Sequence, residues 1–285
     1  MHKHSVSKNP IKQALIGLTA AALLAGCYVE VGPDHSGHVS DPPQNVSRYS
    51  TEFLTRAALI VPSLNTQSIE MVVDPVGFLQ PRQRNQARYH DPIETTWTEL
   101  FDTAPCRYSG STTLDGNAKT ETYADGMTWV RMSALVRADR CRTDSWMGVA
   151  TIESRLDYQV VGWYDEHRRA ITSLDGDLTG RFRITGSQRD ISYSQIDSRI
   201  VELSSRTFDI RTRADLWLDN GWLSRNATLT TPQAVNWYRG DAFPYRGRIR
   251  ISDRSGWVEL TFSDSGVSRN DSRGYREYLS WRFFQ

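Results

Sequence analysis

The sequence predicts an all-β domain: an antiparallel sheet, sandwich or open barrel of repeated meanders, with one short helix at the front. Three observations carry that reading. Apolar and polar residues alternate with period two over most of the chain beyond Pro62. Turn signals separate the alternating runs, and a glycine-led strand motif recurs.

The front element is the run Thr51-Glu-Phe-Leu-Thr-Arg-Ala-Ala-Leu-Ile-Val61, a helix capped by Ser50 or Thr51 and stopped by Pro62. The clearest strand spans 208–218. Phe208, Ile210, Thr212, Ala214, Leu216 and Leu218 form one dry face, and Asp209, Arg211, Arg213, Asp215 and Trp217 form the other. Asp219-Asn220-Gly221 supplies a hairpin turn, with Trp222 to Thr230 as the return strand. Trp237-Tyr238 falls in a loop. Val258, Leu260 and Phe262 alternate after the Ser255-Gly256 turn, and Tyr275 to Phe284 reads as the last strand.

The recurring motif is Tyr108-Ser-Gly110, Leu178-Thr-Gly180 and Tyr245-Arg-Gly247, each followed by an alternating run. The glycines stand 70 and 67 residues apart. This predicts three copies of a several-stranded meander, each glycine sitting where a strand bends or another backbone passes close.

The start of the chain carries an address. Lys3, Lys8 and Lys12 precede an apolar run of 12 residues, Ala14 to Ala25. A spanning helix needs roughly 20 residues, so the run is a signal-peptide core. It ends Leu24-Ala-Gly-Cys27, which resembles the lipobox of bacterial lipoproteins. That resemblance implies cleavage after residue 26, acylation of Cys27 and, with Tyr28 rather than Asp next, sorting to the outer membrane. Residues 27–48, holding Gly32, Pro33, Gly37, Pro42 and Pro43, are read as a tether, and 49–285 as the periplasmic domain. A second resemblance rests on Pro244-Tyr-Arg-Gly-Arg-Ile-Arg-Ile-Ser252, Trp257-Val-Glu-Leu-Thr-Phe262 and Ser263-Asp-Ser-Gly266. It is similar to a Pro-x-x-Gly strand module of uncharacterised proteobacterial envelope proteins, although Ser252-Asp253 stands where Thr-Gly is usual. That family brings no established activity.

Without the signal the chain holds 31 bases against 33 acids, net −2. No basic excess points to nucleic acid. Cys106 and Cys141 remain after Cys27 and, in an oxidising compartment, pair as a disulfide.

Catalytic chemistry lacks its residues. HExxH, Gly-x-Ser-x-Gly, a phosphate loop and a dinucleotide fingerprint are all missing. His35-Ser-Gly-His38 lies in the tether, and the folded part holds only His90 and His167. Asp165-Glu-His-Arg-Arg169 reads as a charged loop rather than a general-base site. Asp175-Gly-Asp177 reads as a β-turn, because it lacks the ligands of a calcium loop. Neither a cofactor nor a metal is expected. Trp217, Trp237 and Tyr238 are the candidate ligand platform, since an aromatic ring on a charged face or in a loop invites a partner.

The function expected is that of a non-enzymatic outer-membrane lipoprotein, attached to the membrane by its lipid and binding or scaffolding envelope proteins or glycan. The alternatives are a carrier of lipophilic molecules, resembling lipoprotein-localisation factors, an envelope glycan hydrolase using acids such as Asp165 or Glu166, and an integral barrel.

Overall fold

The computed structural model describes residues 45–78, 92–165, 170–204 and 207–284, with the side chains of 67–78, 170, 171, 203 and 204 left out. The lipobox, the tether up to residue 44 and His35, His38, His90 and His167 lie outside them. Strands alternate along the chain as the period-two pattern requires: β1 (Glu94–Pro105), β2 (Ser109–Thr122), β3 (Met127–Ser145), β4 (Gly148–Asp165), β5 (Ala170–Thr185) and β6 (Asp190–Ser204). β7 (Thr207–Asp219), β8 (Ser224–Tyr238), β9 (Arg246–Ser252), β10 (Trp257–Ser263), β11 (Gly266–Asp271) and β12 (Arg276–Ser280) complete a single antiparallel sheet in sequential order. β1 and β12 are its edges, so the sheet is open, neither a sandwich nor a closed barrel. The sequence pattern alone left those choices unresolved.

The inner face is mostly apolar along the long strands. In β7, Phe208, Ile210, Ala214, Leu216 and Leu218 are all buried, and the polar residues between them face out. Against this face lies α1 (Thr51–Phe78), which touches β3, β4, β6, β7 and β12 at once, so the sheet curls around it. Ser50 caps the helix as expected, its Oγ accepting from Phe53 N at 3.2 Å. The helix does not stop at Pro62. Proline removes a ladder hydrogen bond and crowds the preceding turn. Here Leu59, Ile60, Val61 and Leu64 are buried on either side of it, each such side chain contributing about 1.5–3 kcal/mol. Tertiary burial outweighs the local break. Asn65 Nδ2 donates to Ser198 Oγ at 2.5 Å, which bonds Thr212 at 2.6 Å, so a buried polar trio pins the helix to β6 and β7.

The body begins earlier than residue 49. Asn45–Arg48 belong to it, with a 3-10 turn over Val46–Arg48 whose Val46 and Ser47 are buried. This N-terminal strap is clasped by β11. Arg269 Nη1 donates to Tyr49 O at 2.7 Å, and Nη2 donates to Ser47 O at 2.5 Å and to Asp271 Oδ2 at 2.9 Å. Both members of that ion pair are buried. Burial alone would raise the Asp271 carboxyl, but bonds from Arg269 and from the N–H groups of Arg273 and Tyr275 hold it below the usual range. Tyr49 OH donates between the carbonyls of Leu218 and Leu223, at 2.7 and 2.8 Å. Burial first, and the Asp219 charge second, push that hydroxyl's pKa upward, so it remains a donor.

Gly110, Gly180 and Gly247 behave as the repeat implied. Each has positive φ (81°, 132°, 119°), and a Cβ there would meet the carbonyl oxygen of Arg140, Arg155 or Ala234 at 2.2, 2.1 and 2.4 Å. Their strands are β2, β5 and β9, so successive copies span three and then four strands. The spacing holds only because the later strands are shorter.

Three local expectations change, at Asp175–Asp177, at Trp222 and in the last strand. Asp175-Gly-Asp177 is no turn but the middle of β5: Gly176 is packed between Ile200 and Val160, and Asp175 faces out to pair with Arg199. Asp165 ends β4, and the rest of its charged run lies outside the described residues. Trp222 sits in the turn, with β8 starting at Ser224. After β12 the chain ends in a 3-10 turn, Trp281–Phe283, where Trp281 stacks on Phe243 at 4.6 Å. The pair Cys106–Cys141 is a disulfide, reaching from the end of β1 across β2 to β3.

Candidate functional site

The three aromatics singled out in the sequence do not come together. Trp237 is not in a loop. It lies near the end of β8, is 2 % exposed and donates its indole N–H to Asp241 O at 2.7 Å. Neighbouring residues of a strand point to opposite faces, so burial of Trp237 puts Tyr238 outside. There it stacks on Tyr245 at 4.1 Å. With Asn226 opposite Trp217, the twelve residues from there to Tyr238 set the two rings roughly 40 Å apart. Trp237 is removed from the platform, and Trp217 and Tyr238 are too far apart to share one.

Trp217 is 36 % exposed and lies in an outer-face groove of about 560 Å³. The sheet register builds this groove. Ser192, Trp217 and Asn226 form one row across β6, β7 and β8, and Ser194, Asp215, Thr228 and Ser252 form the next, running on to β9. Its far wall is the β9–β10 turn, with Asp253 and Arg254. The groove exists because β9 is short. β9 ends at Ser252 opposite Thr228, so among the described residues no strand pairs with Ser224–Ala227 on that side. The ladder opens where two strands would otherwise continue together.

The chemistry of the groove is polar around one ring. Asp253 is already engaged: its Oδ1 accepts from Ser255 N and Gly256 N, both at 2.8 Å, and its Oδ2 from Val46 N at 2.9 Å. That arrangement fixes the turn. Among the described residues the side chains of Asp215, Asn226, Thr228 and Arg254 make no hydrogen bond or ion pair. The groove thus presents a carboxylate, an amide, a hydroxyl and a guanidinium beside an indole face. The sequence marked Trp217 because it interrupts a charged face. Its partners across the sheet were legible only through the hairpin register about Asn220-Gly221.

Elsewhere, among the described residues, no three His, Cys, Asp or Glu side chains gather as metal ligands do. Glu202 is an unusual acid. Both carboxylate oxygens are buried without a hydrogen-bond partner, and burial, partly offset by the Arg239 charge, pushes its pKa up to about 7. It faces inward at the end of β6, away from the Trp217 groove. No described helix is long and apolar enough to cross a membrane. Compared with known protein families, curated proteins and solved structures, the chain matches none.

Proposed function

We propose that this chain is a lipid-anchored binding module of the bacterial outer membrane, attached through Cys27, that holds a glycan segment in the groove around Trp217. The observation that supports it is the ring of unengaged polar side chains about a half-open indole. Sugars present apolar C–H faces that stack on aromatic rings and hydroxyls that bond carboxylates, amides and guanidinium groups. The role is binding rather than catalysis: one free carboxylate, Asp215, faces the groove, whereas glycoside hydrolysis takes two carboxyl groups in register. The carrier alternative needs an apolar void. Instead, side chains of α1 from Phe53 to Leu64 occupy the concave face between β3 and β7.

Quenching of Trp emission by iodide, followed as soluble peptidoglycan fragments or other envelope oligosaccharides are added, tests the reading. Protection that is present in the wild type and absent in Trp217→Phe supports it. Protection that survives both Trp217→Phe and Asp215→Asn places the ligand elsewhere and overturns the assignment of this groove.

A further inference from the structure

We infer that the rim of the sheet carrying Trp222 lies against the lipid surface to which the chain is anchored, with Trp222 in the headgroup layer. The inference rests on the anchor at Cys27 proposed above and adds an orientation to it. In a sequential antiparallel sheet the connections alternate between two rims. The rim holding the start of α1 includes the β7–β8, β9–β10 and β11–β12 turns. All three grip the strap: Tyr49 OH reaches Leu218 and Leu223 carbonyls, Val46 N reaches Asp253, and Arg273 Nη2 reaches Ser47 O at 2.8 Å. The chain therefore enters the folded body among the tips of these turns.

Those tips carry what a lipid surface takes. Trp222 is 92 % exposed and Tyr275 47 %, and Arg254 and Arg273 are exposed beside them. A large indole left in water forgoes its burial, and Trp and Tyr are favoured at the headgroup level of bilayers. Arginines near the surface are drawn to anionic headgroups. Chain length agrees. Seventeen residues separate Cys27 from Asn45, and a random coil of that length would span about 23 Å on average. The opposite rim lies beyond strands such as β8, with 15 residues at about 3.3 Å each, roughly 50 Å further from the strap. A lipid at Cys27 brings the Trp222 rim to the membrane first.

The test couples the mature chain through the Cys27 thiol to a maleimide lipid in vesicles of phosphatidylethanolamine and phosphatidylglycerol. A fraction of the lipid is brominated near the headgroup. Bromolipid should lower the Trp emission of the wild type, and Trp222→Phe should abolish most of that loss, whereas Trp217→Phe should leave it. Equal quenching in wild type and Trp222→Phe, or none in either, overturns the orientation. Because the lipid is attached chemically, this outcome is separate from whether the cell acylates Cys27. Fatty-acid labelling of wild type and Cys27→Ser answers that question independently.

Discussion

The sheet holds two regions that reach the same end by different means. In β1–β8 the strands run 12 to 19 residues, and their inner faces are mostly apolar, with α1 packed against β3, β4, β6 and β7. In β9–β12 they run 5 to 7 residues, too short to offer as many inward positions. There, Val258, Leu260, Phe262 and Val267 are buried, but so are Arg269 and Asp271, which clasp the N-terminal strap. The first region rests on local alternation, the second on contacts more than 200 residues apart in sequence. A short strand pair can be held in place by borrowing a distant segment.

Removing the clasp should have the largest effect. Arg269→Met leaves Asp271 a buried carboxylate without its cation and takes from the Tyr49 carbonyl its Arg269 donor, although Ser47 O keeps Arg273, and should cost about 3–5 kcal/mol in urea unfolding. Asp271 has a depressed pKa in the fold, so its contribution is present above the ordinary carboxylate range. It is lost as pH falls through the folded value, so the wild type should lose stability toward acid pH more steeply than Arg269→Met.

In the long-strand region the disulfide adds a covalent tie between the end of β1 and β3. Replacing Cys106 and Cys141 by Ser should cost about 2–5 kcal/mol, because it releases a loop closed over a separation of 35 residues. Thiol counting on denatured protein should find neither of these two cysteines free. If the double variant proves as stable as wild type, the apolar face alone holds β1 to the sheet.

The backbone approach at Gly180 sets the next effect. Gly180→Ala meets the Arg155 carbonyl and an unfavourable φ and should destabilise by about 1–3 kcal/mol. Gly176→Ala, facing the Ile200 and Val160 methyl groups at 3.1 and 3.3 Å, should cost less. The reverse order in thermal melts would remove the special role of the repeated glycine.

The smallest change has the opposite sign. Glu202 has a raised folded pKa, so below the unfolded value near 4.5 it carries no penalty. As pH rises toward about 7 and beyond, the buried charge destabilises the fold. Glu202→Gln should therefore stabilise the protein by about 1–2 kcal/mol at pH 8, after allowance for solvent screening, and by little at pH 4. A variant no more stable at pH 8 than wild type would mean the carboxylate finds a partner in solution.

Legibility followed the same division. Alternation marked β7 and β10 residue by residue, because burial on one face leaves a local trace. It misplaced Trp237, although two adjacent aromatics in a strand must face opposite ways and only one of them can be free. The helix was cut short at Pro62, because its continuation depends on packing against β4, β6 and β7 rather than on propensity. Arg269 and Asp271 carry no mark in the sequence, since nothing near them names Ser47 or Tyr49. The Trp217 groove was half visible: the ring stood out, but the gap beside Ser224–Ala227 comes from where β9 ends, which no local pattern encodes.

Side chains of α1 fill the concave face of the sheet, which leaves the outer face for the binding proposed above. Amide hydrogen exchange over Phe53–Leu64 tests it most directly, because a core helix opens only with the whole domain whereas a lid opens by itself. These amides should exchange as slowly as those of β5–β7, and added fatty acid or phospholipid should not change their rate. Faster exchange in α1 than in those strands, altered further by a lipophilic ligand, would contradict it and make the helix a lid over a carrier cavity.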